Sequence, residues 1–122
     1  GPTLAADPIV TAVSLISYIK GKPISGFIVR KESKGHGTQK LIEGPLKGQS
    51  PVAIVDDTCT TGGSLLMAIK AVEDMGCTVE KISVILDRDG SGRELFTQRG
   101  YCFEALLETT SDGRIKIVAS DT

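Results

Sequence analysis

The sequence contains no tryptophan, and its 122 residues include only two tyrosines and three phenylalanines. It contains no apolar run near the roughly 20 residues that a membrane-spanning helix requires, and no recognisable signal peptide. Lys and Arg number 14 against 15 Asp and Glu, so the formal net charge is −1. These absences predict no attachment to a membrane and give no electrostatic reason to expect binding to nucleic acid.

Cysteine and histidine are too few for a disulfide framework or a zinc site. The three cysteines, Cys59, Cys77 and Cys102, are odd in number and far apart, without a CxxC pair, and His36 is the only histidine. We interpret the cysteines as reduced thiols of a cytoplasmic protein. Cys77 and Cys102 are predicted to lie in the core, and Cys59 is assigned no chemistry. A metal-ligand role for His36 lacks clustered partners.

Val, Ile and Leu dominate the apolar residues, and they recur in short segments separated by glycine and proline. Their periodicity predicts helices over residues 7–20, 64–75 and 92–99, and strands over residues 24–30, 52–57, 79–86, 101–107 and 114–119. Strands that alternate with helices indicate an α/β fold with a mainly parallel central sheet, closed by a last antiparallel strand at its edge. At this length we expect one domain with a single core, residues 1–122.

Local signals predict the helix ends and the core face. Asp7 is predicted to cap the first helix, with Pro8 in its first turn. Leu65, Ile69 and Val72 fall on one face of the second helix and are predicted to be buried. The polar, glycine-punctuated segment over residues 31–44 is predicted to be a loop.

Two adjacent carboxylates follow the apolar strand VAIV in the segment VAIVDDTCTTGGS, residues 52–64. We call Asp56 and Asp57 the acid pair. Two like charges repel, and neither is easily buried without a partner. Because open α/β sheets bind ligands beyond the carboxyl ends of their strands, and this strand is expected to be central, the acid pair is predicted to border a binding site. Its oxygens suit the hydroxyls of a ribose, directly or through metal-bound water.

The segment that follows the acid pair has the composition of a phosphate cradle. Gly62 and Gly63 allow the backbone to curl so that N–H groups converge at the positive end of the next helix. Thr60, Thr61 and Ser64 add hydroxyl donors. The spacing is neither that of a Walker A loop nor GxGxxG. The alternative is a polar turn with a capping aspartate, but strand, acid pair and cradle in unbroken order favour a binding site.

A second unusual segment, RKESKGHG (residues 30–37), combines three cations and the only histidine with a single acid. A surface helix would place acids four residues from its cations, and the glycines favour a loop. One interpretation is a solvated charged loop. The other is a lid whose cations stabilise the charge on a polyanionic leaving group and exclude water.

These motifs together resemble those of a known family. VAIVDDTCTTGGS resembles the phosphoribosyl pyrophosphate (PRPP) signature of the type I phosphoribosyltransferases, and RKESKGHG resembles a loop of the orotate phosphoribosyltransferases. LDRDGSGRE (residues 86–94) resembles the L-D-R segment of the latter, and GPTLAADPI (residues 1–9) resembles their pyrophosphate loop. The resemblance covers nearly the whole chain and implies a type I phosphoribosyltransferase fold, which is Rossmann-like.

By this resemblance the acid pair would hold the ribose of PRPP, and the glycine-rich loop would hold its 5-phosphate. The residues with implied catalytic roles are Lys34, His36, Asp56 and Asp57. The residues implied in binding PRPP are Arg30, Lys31, Lys34, His36, Asp56, Asp57, Thr58, Cys59, Thr60, Thr61, Gly62, Gly63 and Ser64. The pyrophosphate loop would be formed by Thr3, Leu4, Ala5 and Ala6.

The resemblance also implies how the second substrate is bound. Orotate would contact Thr60 and Arg88, with the Arg88 guanidinium on the orotate carboxylate. The alternative for Arg88 is an ion pair with Asp87 or Asp89. Mg²⁺ would be held mainly by PRPP and reached from the acid pair through water. A homodimer in which the basic loop reaches the neighbouring subunit's site is also implied.

The implied activity is transfer of ribose 5-phosphate from PRPP to orotate, which gives orotidine 5′-monophosphate and pyrophosphate in de novo pyrimidine biosynthesis. The family carries further residues ahead of this point, including a first core strand and a hood over orotate, so the chain is expected to be truncated at its N-terminal end. Two alternatives stay open. One is a phosphoribosyltransferase for another base, and the other is a non-catalytic PRPP-binding regulator or fragment.

Overall fold

A computed structural model describes residues 1–32 and 41–118 of the chain. Its elements confirm the predicted α/β alternation. In chain order they are α1 (Asp7–Ile19), β1 (Ile28–Val29), β2 (Ile42–Glu43), β3 (Pro51–Cys59), α2 (Gly63–Asp74), β4 (Thr78–Asp87), α3 (Ser91–Gln98), β5 (Phe103–Thr109) and β6 (Ile115–Ile117). Across these two ranges, every helix falls short of the length and apolar character needed to cross a bilayer.

The main sheet has four strands in the order β3, β4, β5, β6. The β3–β4 and β4–β5 pairs are parallel, and β6 pairs antiparallel with β5, as the sequence predicted. The central position expected for β3 is wrong for this sheet, because β3 pairs with β4 on one side and stands at the edge. Parallel strands joined by intervening helices are the arrangement expected of an α/β fold.

Helices α2 and α3 cover one face of the main sheet and enclose the core. Leu65, Ile69 and Val72 of α2 are all buried, which confirms the predicted core face. The Phe96 ring of α3 stacks on Phe103 of β5, with the ring centroids 5.6 Å apart. Continuous apolar burial between helices and a parallel sheet is the largest stabilising contribution that the fold offers.

Of the two cysteines predicted to lie in the core, one lies there. Cys77 is buried, whereas Cys102 is exposed, so its predicted place in the core is wrong. The reason is the alternation of side chains along an extended segment. Phe103 points into the core, and its neighbour Cys102 therefore points away from it.

The N-terminal part of the chain is loosely packed on the rest. Helix α1 contacts β3, yet none of its residues is fully buried, and Leu15 and Tyr18 are 57% and 72% exposed. The prediction that Asp7 caps α1 is wrong, because Ala6 occupies the capping position and Asp7 is the first helical residue. Asp7 instead accepts a hydrogen bond from the Thr3 hydroxyl at 2.8 Å.

A short extended segment joins this N-terminal part to the main sheet. Pro2 forms a parallel bridge with Val29 of β1, and the Val29 N–H donates to the Gly1 carbonyl at 2.8 Å. Gly1 lies so close to β3 that a Cβ on it would be 2.4 Å from the Val55 carbonyl oxygen. The predicted strand over residues 24–30 is reduced to the two residues of β1, which pair antiparallel with β2.

Candidate functional site

The acid pair lies within β3, which continues past it to Cys59 and not merely to Asp57 as predicted. Each carboxylate accepts a hydrogen bond from the next backbone N–H along the chain. The Asp57 N–H donates to Asp56 Oδ1 at 2.9 Å, and the Thr58 N–H donates to Asp57 Oδ1 at 2.7 Å. These local bonds fix the direction of both carboxylates and leave each a second oxygen for a ligand.

Asp56 is the more buried member, with 6% of its surface exposed. Burial raises the pKa of its carboxyl group to about 6. The hydrogen bond from the Asp57 N–H lowers this pKa, and the neighbouring Asp57 side chain raises it. The ionised form of Asp56 is therefore poorly solvated at neutral pH, and hydroxyl donors from a ligand would stabilise it.

The loop after β3 forms the predicted cradle at the start of α2. Gly62 has a φ of +83° in the capping position, and α2 begins at Gly63. A small cavity of about 40 Å³ is lined by Asp56, by residues 58–64 of the loop and by Leu65. The N–H groups of the first helical turn and the loop hydroxyls border this cavity, so it suits one phosphate group.

Replacing Gly62 by alanine is expected to weaken binding of a phosphate ester at least tenfold and to cost about 1–2 kcal/mol of unfolding free energy, because a side chain disfavours a positive φ. A Cβ on Gly62 would also lie 2.6 Å from Leu95 Cδ2 and move the first turn of α2. Gly100→Ala is the matched control, since Gly100 has a φ of +85° with no atom near the added Cβ.

Calorimetric titration with ribose 5-phosphate, combined with thermal unfolding, separates the two effects. Both variants should lose stability, and only Gly62→Ala should lose affinity. Equal affinities in the two variants would show that the loop around Gly62 does not bind phosphate.

A second cavity of about 310 Å³ adjoins the cradle. It is lined by Pro2, Thr3, Leu4, Ala5, Lys31, Asp56, Asp57, Thr58 and Ser64. Three of these residues, Asp56, Thr58 and Ser64, also line the smaller cavity, so the two spaces are neighbours. The structure thus brings together most of the predicted pyrophosphate loop, the acid pair, the cradle and one predicted lid cation.

Some predicted residues stand apart from this space. Arg30 forms an ion pair with Glu43 at 3.3 Å, and Ala6 is fully buried beneath Gly1. Lys34 and His36 lie outside the described residues. Cys59 lines the small cavity, but burial, followed by the charges of nearby carboxylates, raises the pKa of its thiol to about 11. A thiol that resists ionisation is a poor nucleophile, which agrees with a packing role.

Arg88 follows β4 and lies beside the cradle, with an exposed side chain. Its backbone N–H donates to the Cys59 carbonyl at 2.9 Å. The alternative of an ion pair with Asp87 is wrong, because the buried Asp87 carboxylate accepts hydrogen bonds from the N–H groups of Gly92 and Arg93 at 2.8 and 3.0 Å.

Sequence reasoning missed the residues that hold this turn. Asp87 supplies the side-chain acceptor for the start of α3, although the helix begins four residues later, at Ser91. The Ser91 hydroxyl lies 2.7 Å from the Thr60 carbonyl oxygen. The local sequence places Asp89, Gly90 and Ser91 ahead of the helix, but it is Asp87 that accepts the helix N–H groups, and nothing local indicated the contact between Ser91 and Thr60.

Residues 1–32 and 41–118 contain no group of three or more His, Cys, Asp or Glu side chains arranged to hold a metal ion. The acid pair nevertheless offers the carboxylate oxygens that Mg²⁺ prefers. This donor set fits a metal that takes its other ligands from a bound polyphosphate and from water.

Comparisons with known proteins agree with the motifs. The chain is 43% identical over 108 residues to the orotate phosphoribosyltransferase of Synechocystis sp. and covers 54% of it. It is 47% identical over 110 residues to that of Methanothermobacter thermautotrophicus and covers 58% of it. These matches take in 88% and 90% of the present chain. No family profile matches the chain.

A solved structure shows the same relation in three dimensions. The Mycobacterium tuberculosis orotate phosphoribosyltransferase in complex with PRPP is 37% identical, with a TM-score of 0.75, over 88% of this chain and 60% of that one. The chain spans a little over half the length of the curated relatives that it matches. The chain has the fold of the type I phosphoribosyltransferases, and its sequence is similar to those of orotate phosphoribosyltransferases.

Proposed function

We propose that the chain carries the catalytic core of an orotate phosphoribosyltransferase, which transfers ribose 5-phosphate from PRPP to N1 of orotate and releases pyrophosphate. The observation that carries this proposal is a pair of neighbouring cavities bordered by the acid pair, the cradle and residues 3–5. A related protein of this fold has been solved with PRPP, which supports the same ligand here.

The two cavities match the parts of PRPP. The 5-phosphate would occupy the small cavity at the start of α2, where N–H and hydroxyl donors surround it. The ribose hydroxyls would donate to the acid pair, of which Asp56 lines both cavities and Asp57 the larger one. The pyrophosphate would then extend over Thr3, Leu4 and Ala5 toward Lys31 in the larger cavity.

The proposed reaction requires the protein to position two anions, PRPP and orotate, and to neutralise the negative charge that develops on the leaving pyrophosphate. The bond from C1 of the ribose to the pyrophosphate oxygen breaks, and a bond from C1 to N1 of orotate forms through an oxocarbenium-like transition state. No side chain needs to act as a nucleophile. Asp56 and Asp57 hold the ribose, while Lys31 and the N–H groups of Leu4 and Ala5 stabilise the negative charge that develops on the leaving group.

Mg²⁺ is the proposed cofactor, and the acid pair is its contact with the protein through water. When bound, the ion supplies positive charge to the pyrophosphate oxygens. Arg88 is proposed to bind the orotate carboxylate, assisted by Thr60 at the edge of the cradle. The lid residues Lys34 and His36 are proposed to contact pyrophosphate.

The wider assignments rest on the family resemblance. We propose that the activity belongs to de novo pyrimidine biosynthesis in the cytoplasm, and that the working form is a homodimer with the basic loop shared between subunits. The exposed apolar side chains of α1 are compatible with a protein partner on that face. Light scattering of the purified chain at several concentrations would test the dimer.

The function is tested by the loss of orotate absorbance when the purified chain is mixed with PRPP and Mg²⁺. Turnover that stops on chelation of Mg²⁺ is expected. Consumption of uracil or a purine in place of orotate would support the alternative of another base. PRPP binding without turnover of any base would support the non-catalytic alternative, and no binding at all would contradict the proposed site.

A further inference from the structure

Two turns that lie 31 residues apart in the chain meet beside the cradle. We call residues 58–64 the phosphate loop and residues 88–91 the base turn. The Arg88 N–H donates to the Cys59 carbonyl at 2.9 Å. The Ser91 hydroxyl lies 2.7 Å from two carbonyl oxygens, those of Thr60 and Arg88. Its single proton is shared between them, so one side chain joins the two turns.

The position of Ser91 is fixed by contacts at the start of α3. The carboxylate of Asp87, fully buried, accepts the N–H groups of Gly92 and Arg93 and fixes the start of α3. Gly92 lets this helix approach so closely that a Cβ there would be 2.6 Å from Cys59 Sγ. Because the helix start cannot shift, the Ser91 hydroxyl is presented to Thr60 in a defined direction.

We propose that Ser91 is a positioning residue that couples the phosphate loop to Arg88, and through Arg88 to the anionic base. This inference rests on the proposed function, in which the phosphate loop holds a sugar phosphate and Arg88 holds a carboxylate. A phosphate bound in the cradle restricts the motion of the backbone around Thr60. Because the Ser91 hydroxyl is hydrogen-bonded to the Thr60 carbonyl, the base turn is restricted as well. The coupling is reciprocal, so each ligand tightens binding of the other.

Measuring orotate affinity with and without saturating ribose 5-phosphate tests this coupling, because that sugar phosphate fills the cradle but cannot react. In the wild type we expect ribose 5-phosphate to tighten orotate binding by about fivefold or more. In Ser91→Ala the two ligands should bind independently, with each single affinity within about twofold of the wild type. Ser91→Thr retains the hydroxyl and should restore the coupling.

Ser50→Ala is the matched control, since the Ser50 hydroxyl also donates to a backbone carbonyl, that of Lys47, at 2.7 Å, on a different part of the surface. It should leave the coupling intact. Amide exchange of the free protein gives a ligand-independent readout. The Arg88 N–H should exchange several-fold faster in Ser91→Ala and remain unchanged in Ser50→Ala.

The outcomes distinguish the coupling from the function on which it rests. Coupling that persists in Ser91→Ala, or wild-type ligands that bind independently, would overturn the role of Ser91 and leave the proposed function standing. Failure of the wild type to bind either ligand would overturn the proposed function. The exchange rate of Arg88 would still decide whether Ser91 joins the two turns.

Discussion

Replacing Arg88 by alanine is expected to weaken orotate binding by about 10- to 100-fold, while PRPP affinity changes by less than about twofold. The expected loss is that of a charge-assisted hydrogen bond to the orotate carboxylate. The affinity for PRPP is spared because Arg88 lies outside the lining of both cavities that the described residues form around the cradle. Calorimetric titration with each substrate in turn, with Mg²⁺ present, measures both affinities.

Two further variants sharpen this result. Arg88→Lys keeps the charge but loses the planar fork that binds a carboxylate with two bonds, so its orotate affinity should be intermediate. Arg114→Ala removes an arginine that is 86% exposed and paired with Asp112, and should change neither affinity. Unaltered orotate binding in Arg88→Ala would mean that another group binds the carboxylate and would contradict the role proposed for Arg88.

Asp56→Asn is expected to weaken PRPP binding by about 10- to 100-fold and, in the free protein, to increase stability at pH 7. The affinity falls because a neutral amide is a weaker acceptor for ribose hydroxyls. The stability rises because burial raises the pKa of Asp56 from 3.8 to about 6. That difference is worth at most about 3 kcal/mol of unfolding free energy.

The sign of this pH dependence follows from linkage. A carboxyl group whose pKa is higher in the folded state stabilises the fold below pH 3.8, and that contribution is lost as the pH rises through about 6. Asparagine cannot ionise, so Asp56→Asn should lack this loss. Asp57 and the Gly1 amino group face the same region, and burial lowers the pKa of that amino group to about 6. The difference between variant and wild type therefore reports Asp56 together with its electrostatic interactions with these two groups.

Chemical denaturation at several values between pH 4 and 8 measures the effect. The difference in unfolding free energy should grow across the interval from about pH 4 to about pH 6 and then level off. Asp74→Asn is the control, because Asp74 is an exposed partner of Lys70 on α2 and lies away from the site. A difference that stays constant with pH would show that Asp56 ionises as freely in the fold as in the unfolded chain.

The parts of the site that sequence could predict are those that are contiguous in the chain. Strand, acid pair and cradle follow one another between residues 52 and 64, so their proximity in space needs no knowledge of the tertiary fold. The core face of α2 is equally local, because Leu65, Ile69 and Val72 recur at the helical period. The roles of the individual site residues stay predictions, with the experiments above as their tests.

Tertiary packing decided what local patterns could not show. The contact between Ser91 and Thr60 joins residues 31 apart, and no periodicity reports such a pairing. The edge position of β3 depends on which strands pair, and the sequence pattern of a buried strand is the same at the centre and at the edge of a sheet. Cys102 is apolar enough for a core, but its place next to the inward-facing Phe103 exposes it.

The edge position of β3 also bears on how copies of this chain behave toward one another. A strand with unpaired N–H and C=O groups along one side is a template for pairing with another strand, and apolar edges are prone to aggregation. Two features of β3 oppose such pairing. Pro51 at its beginning lacks an N–H donor, and the charges of the acid pair near its end repel those of a second copy. The stretch between the proline and the acid pair is residues 52–55, of which Val55 lies against Gly1. Concentrated, acidic solutions, in which Asp56 is protonated and its charge is lost, are therefore the conditions under which intermolecular β-sheet would form first.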